Sequence, residues 1–208
     1  MNILFDFDGT LINSHTKAIE LYNQSADNFN LRKILPDEIE TLKNLNSKDL
    51  VKYLGIPFYK VPQILLQVRT LLKNEMLSLE PIPNIQEIIK QLHTANFHMG
   101  ILTSNSLENV HSWLRHHDME QYFSFVHAES SYFGKGRLIK KLLKKHYIPS
   151  SHAWYVGDET RDIEAATDNH IRSIAVTWGF TSEKILLLQH PTAIARKPED
   201  LFKIVGSK

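Results

Sequence analysis

Ile3-Leu4-Phe5-Asp6-Phe7-Asp8-Gly9-Thr10-Leu11 is the stretch whose reading decides the fold. Ile3 to Phe7 has the apolar, aromatic content of a buried strand, and it runs into a Gly-Thr turn. Two carboxylates, Asp6 and Asp8, are delivered where that strand ends.

Working outward, further short β-rich segments are predicted at His98 to Thr103, Phe123 to Ala128, Ala153 to Gly157, Ser173 to Thr177 and Ala193 to Ala195. Helical patterns lie between them, among them Ile85 to Ala95, Leu107 to His116 and Gly136 to His146. Strands alternating with helices predict an α/β fold with a doubly wound, mostly parallel, Rossmann-like sheet whose site lies at the carboxyl ends of its strands. From Ser14 to Leu79 the pattern is helix after helix, punctuated by Pro36, Gly55, Pro57 and Pro62. This predicts an α/β core domain over 1–13 and 80–208, with a small helical domain over 14–79 inserted after the first strand.

Composition narrows the partners. The 208 residues carry 24 basic against 23 acidic side chains, a net charge of +1, which predicts no nucleic-acid partner. Apolar runs are broken by charge well short of the roughly 20 residues a bilayer needs, predicting no membrane partner. No basic segment precedes the first apolar run, unlike a signal peptide; a cytoplasmic protein, monomeric or homodimeric, is the default expectation. The chain has no cysteine, which excludes disulfides and thiolate chemistry.

The polar residues at the strand ends suit phosphoryl chemistry. Two unit charges roughly 4 Å apart repel by about 4 kcal/mol at an effective dielectric of about 20, so converging carboxylates ask for a cation. Mg²⁺ takes one or two carboxylates with water and phosphate oxygens, and Asp158 and Asp162 follow the strand Ala153 to Gly157. Asp6 is a candidate nucleophile toward phosphorus and Asp8 a candidate general acid and base. Gly9 admits a positive φ and a close backbone approach to substrate oxygens. Thr103, Ser104 and Asn105 offer phosphate-binding donors just before a helix expected near Ser106, and Lys135 offers a compact positive charge.

Taken in order, Asp6-Phe7-Asp8-Gly9-Thr10-Leu11, Ile101-Leu102-Thr103-Ser104-Asn105, Lys135 in Phe133-Gly134-Lys135-Gly136-Arg137, and Val156-Gly157-Asp158 through Asp162 resemble the four motifs of the haloacid dehalogenase superfamily. The resemblance is to the branch that includes phosphoglycolate phosphatase, and it covers the whole chain. It implies a Mg²⁺-dependent phosphatase acting on a small phosphorylated metabolite through an aspartyl-phosphate. Asp6 would be the nucleophile, Asp8 the acid and base, and the metal would be held by Asp6, the Asp8 carbonyl and Asp158, with Asp162 in the outer part of its site. The insert 14–79 then resembles the family's cap, which closes over substrate. Asn13, the glycine-free Asn44-Leu45-Asn46-Ser47-Lys48-Asp49-Leu50, Gly136 after the lysine, and Asn169-His170 depart from the better-known members. The first two weaken any transfer of the phosphoglycolate substrate.

Alternatives share the motifs. A phosphomutase would use all four, a phosphonate hydrolase would add a Schiff-base lysine from among Lys17, Lys43, Lys48 and Lys52, and a non-catalytic phosphate sensor would have no use for Asp8. The eleven histidines, His111, His116 and His117 among them, are read as surface or packing residues.

Overall fold

The computed structural model describes residues 1–128 and 134–206, so Phe133 of the lysine motif lies outside the described residues. Strand β1 (Asn2–Phe5) is followed by α1 (His15–Ala26), α2 (Ile39–Lys43), α3 (Ser47–Tyr53), α4 (Val61–Lys73) and α5 (Ile85–Thr94). Then come β2 (His98–Thr103), α6 (Leu107–His116), β3 (Phe125–Ala128), α7 (Lys135–Lys145), β4 (Ala153–Gly157) and α8 (Thr160–Asp168). The chain continues through β5 (Arg172–Val176), α9 (Glu183–Leu187), β6 (Ala193–Ala195) and α10 (Glu199–Gly206). All six expected strands are present, in one parallel sheet of order β3-β2-β1-β4-β5-β6.

Strand periodicity sorts the core into two layers. Ile3, Phe5, Met99, Ile101, Trp154 and Val156 face one side, against α5, α6 and α10. Leu4, Leu102 and Tyr155 face the other, against Leu138, Ile139 and Leu142 of α7 and Ala165 and Ala166 of α8. Both faces are covered, as a parallel sheet requires. The α5 stripe Ile85, Ile88, Ile89 and Leu92 has the i, i+3, i+4, i+7 spacing of a helix with one buried face. Ile89 is wholly buried there. Ile89→Ala should therefore lower the free energy of unfolding by about 2–5 kcal/mol, read from denaturant titration.

β1 ends two residues earlier than its sequence pattern predicts. The N–H of Asp6 still donates to the Val156 carbonyl at 2.8 Å, but the Phe7 carbonyl then accepts from Leu11 at 2.9 Å and Ile12 at 3.2 Å, curling the chain into a turn. Phe7 goes into the core, edge-on to Trp113 at 5.3 Å between ring centroids. Asp6 and Asp8 thus stand in a loop held rigidly at the carboxyl end of the central strand. With this strand order, that position is the switch point where α/β sheets open a crevice.

Segment 14–79 contains α1 to α4 and no strand among the described residues. It has its own apolar centre of Tyr22, Ala26, Ile34, Leu42, Leu54 and Ile64. The chain leaves and returns side by side: Ile12 bridges Pro81 in antiparallel fashion, Asn13 N–H donates to the Glu80 carbonyl at 3.1 Å, and Ile82 N–H to the Leu11 carbonyl at 3.0 Å. The far rim of the segment touches the sheet layer where Ser182 N–H donates to the Lys43 carbonyl at 2.8 Å and Lys73 pairs with Glu108 at 2.8 Å. No helix among the described residues is long and apolar enough to cross a membrane.

Candidate active site

Four charged groups, from the loops after β1 and β4 and the first turns of α7 and α8, meet at the carboxyl edge. Asp6, Asp158 and Asp162 each offer a carboxylate oxygen, all within 4.8 Å of one another and all buried. Lys135, the first residue of α7, brings its ammonium to 2.9 Å from Asp6 and also pairs with Asp162, while sitting 5.4 Å from the centre of the Tyr155 ring. Only 6% of Lys135 is exposed. Burial disfavours its charge, but Asp162 and Asp6 more than offset this and hold its pKa well above the usual lysine value. These two carboxylates hold the compact charge expected of Lys135 in place at the start of α7.

The carboxylates are not fully compensated. Burial raises the pKa of Asp6, against the pull of Lys135, and lifts Asp162 to about 6 despite the same lysine. Asp158 is raised well above the usual carboxylate range, by burial and then by Glu159, Asp162 and Asp6. Its own bonds are two: Thr10 Oγ1 donates to Oδ1 at 3.3 Å and Phe180 N–H to Oδ2 at 2.9 Å. Asp162 also accepts the Glu159 N–H at 3.0 Å, which caps the start of α8. A hard oxygen-donor cluster with surplus negative charge fits a small divalent cation. Gly9 packs against this cluster at φ +73°, and a Cβ there would lie 2.7 Å from the Asp158 carboxyl carbon.

Asp8 faces elsewhere. Its carboxylate accepts from Asn105 Nδ2 at 3.1 Å and lies outside the three-carboxylate group. Burial raises its pKa, with bonds from Ser14 and Asn105 opposing. Asn105 is oriented for this bond, because its Oδ1 accepts from Asn109 Nδ2 at 2.9 Å and from Ser106 N–H at 2.8 Å. Asn105, expected among the phosphate-binding donors, thus stands beside Asp8 and donates an amide N–H to it. Thr103 Oγ1 accepts the Asn105 N–H at 2.9 Å, and Ser104 borders the cavity beside Asp8. Ser106 caps α6 by accepting the Asn109 N–H at 3.2 Å, at the position expected for the helix start.

A cavity of about 290 Å³ opens above these residues, between the sheet loops and segment 14–79. Asp8, Gly9, Ser104, Asn105 and Asp158 form its floor. Its rim includes residues the sequence reading passed over. Arg161 grips Glu159 through two bonds, Nη2 to Oε1 at 2.6 Å and Nε to Oε2 at 2.9 Å. Although burial opposes it, Arg161 keeps the Glu159 carboxyl below its usual pKa. Ser47 Oγ reaches across from segment 14–79 to Glu159 at 3.0 Å. Arg69 of α4 and His15 of α1 also line the space. The opposed charges in Glu159-Thr160-Arg161 were a legible signal; Arg69 and His15, on helices remote in sequence, gave none.

Comparison with known proteins points to one family. The model of the family described as haloacid dehalogenase-like hydrolase matches residues 3–176. A phosphoglycolate phosphatase of Synechococcus elongatus is 30% identical over 203 residues, covering 98% of this chain and 96% of that protein. Pyrophosphatase PpaX of Oceanobacillus iheyensis is 22% identical over 98% of this chain and 96% of its own. The crystal structure of a protein described as a predicted phosphatase from Clostridium acetobutylicum superposes with a TM-score of 0.85 at 22% identity, covering 100% of this chain and 98% of the other. The matched span begins at the first strand and takes in every acidic loop of the pocket, and the chain belongs to the haloacid dehalogenase-like hydrolase family.

Proposed function

We propose that this hydrolase is a Mg²⁺-dependent phosphoric monoester phosphatase, and that segment 14–79 is its substrate-covering cap. The observation that carries the reading is the buried group of Asp6, Asp158 and Asp162 braced by Lys135, with Asp8 set apart from it on the floor of the cavity. The names of the relatives, phosphoglycolate phosphatase and pyrophosphatase, both denote phosphoryl hydrolysis, the first of an ester and the second of an anhydride.

Asp6, Asp158 and Asp162 would hold the cation, which when bound offsets their charge and draws electron density from the phosphoryl oxygens. An Asp6 carboxylate oxygen attacks phosphorus, the bond from phosphorus to the ester oxygen breaks, and Asp8 gives that oxygen a proton. Water then attacks the aspartyl-phosphate, Asp8 takes the water's proton, and phosphate leaves with Asp6 restored. Lys135 balances charge on the transferring group. Asn105 keeps Asp8 aimed away from the cation cluster, so that the proton carrier stays apart from the nucleophile.

A Schiff-base phosphonate hydrolase finds no support in the cavity wall. Lys17 pairs with Glu20 at 2.8 Å and Lys43 with Glu40 at 2.7 Å, and neither these nor Lys48 or Lys52 lines the cavity. The test is phosphate release from a panel of phosphate monoesters with Mg²⁺ and after chelation. Release should fall at least about 100-fold with EDTA and return with Mg²⁺. The same Mg²⁺ should raise the unfolding temperature, since a ligand at 100 times its Kd adds about 2.7 kcal/mol. Conversion of a hexose phosphate to its isomer without phosphate release would instead establish a mutase.

A further inference from the structure

The cavity has two unlike halves. Its polar half joins Asp8, Ser104, Asn105 and Arg161 of the sheet layer to His15 and Arg69 of segment 14–79. The rest of what segment 14–79 contributes is mostly apolar, including Ile19, Leu42, Leu54, Ile56, Ile64 and Val68. Leu42, Leu54 and Ile64 belong to that segment's own apolar centre, so the space runs into the heart of the helical layer. Tyr22 is there too, but its hydroxyl already donates to the Arg32 carbonyl at 3.0 Å.

This wall matters for the alcohol part of a substrate. A dry apolar cavity of about 150 Å³ suffices to bind benzene. The volume here is about 290 Å³, far more than a two-carbon carboxylate fills. A carboxylate pushed beyond Arg69 and His15 among these apolar side chains would lose its water and gain no partner there, whereas an apolar group would exchange water for contacts along the wall.

We propose that the substrate is a phosphate monoester of an apolar, uncharged alcohol, an alkyl or aryl group of about six carbons or more, seated in the cavity of segment 14–79. This deepens the phosphatase reading and rests on it for the reaction, though not for binding. The phosphate end stays at the floor beside Asp8 and Ser104, and the organic end points between α1 and α4.

Binding and turnover separate the two readings. Methyl-, butyl- and hexylphosphonate, which carry no hydrolysable ester bond, are titrated into the Mg²⁺-loaded protein by calorimetry. Kd should fall about fourfold for each added methylene, with a negative heat-capacity change. In Ala18→Phe, which fills the cavity from α1, that gain per methylene should shrink below about twofold. A Kd independent of chain length, or phosphonoacetate binding more tightly than hexylphosphonate, would overturn the proposal. Release of phosphate from the matching alkyl phosphates is measured alongside. Chain-length-dependent binding with no turnover of any ester would keep the apolar site and remove the phosphatase reading; preferred turnover of phosphoglycolate would do the reverse.

Discussion

Asp6→Asn should lower phosphate release by at least about 10⁴-fold while leaving the protein as stable as its parent or more so. Loss of a nucleophile in a hydrolytic site is worth on the order of 10⁶ in kcat, and the amide has no anionic oxygen to offer phosphorus. Stability moves the other way. Asp6 is 2% exposed and shares its site with two other carboxylates, and burial already raises its pKa. A neutral side chain of the same shape relieves that repulsion, and Lys135 keeps Asp162 as partner. Released phosphate and the unfolding midpoint, measured without metal, check both halves. Turnover above about 1% of the parent's would remove Asp6 from the nucleophile's role.

Lys135→Met should do the opposite to the fold. The methionine fills the space but leaves Asp6 and Asp162 buried without their shared cation, and breaking one side of a buried ion pair costs about 3–5 kcal/mol. The deficit should be largest in EDTA. Mg²⁺ should restore more stability to the variant than to the parent, because three uncompensated carboxylates hold a divalent cation more tightly. Catalysis should still drop by about 10²–10³, the usual cost of removing a preorganised charge from a transition state. Denaturation curves with and without Mg²⁺ give the first number and kcat the second. Equal Mg²⁺ stabilisation of parent and variant would show that the lysine and the metal do not share the same carboxylates.

The sheet was legible because its strands are short apolar runs ending in glycine, acid or threonine, and because helices of strong amphipathic period separate them. Ile85 to Leu92 could scarcely be anything but a buried helix face. The acidic residues were legible for the same reason: Asp6 and Asp158 follow strands directly and Asp8 and Asp162 come within five residues of a strand end, so placing the strands places them. What could not be read was direction. Asp6 and Asp8 are neighbours in sequence, yet one turns to a lysine and the other to an asparagine, a division made by the Phe7 turn and by Asn109, four residues along from Asn105. The cavity wall was also out of reach. Arg69, His15 and Leu54 acquire meaning only through packing between helices joined by irregular loops, and no period in the sequence relates them to Asp8.

The neighbouring crossings of the chain at Ile12 and Pro81 have an evolutionary reading. Where a chain departs and comes back through adjacent extended residues, whatever lies between is a bracketed clause: it can lengthen, shrink or be exchanged without shifting any strand's register. The entropy of closing such a loop grows only slowly with its length. Exchanging the segment would leave the aspartates beneath in place, so under the proposed cap role a chimera carrying a relative's segment between these two crossings should take on that relative's substrate preference.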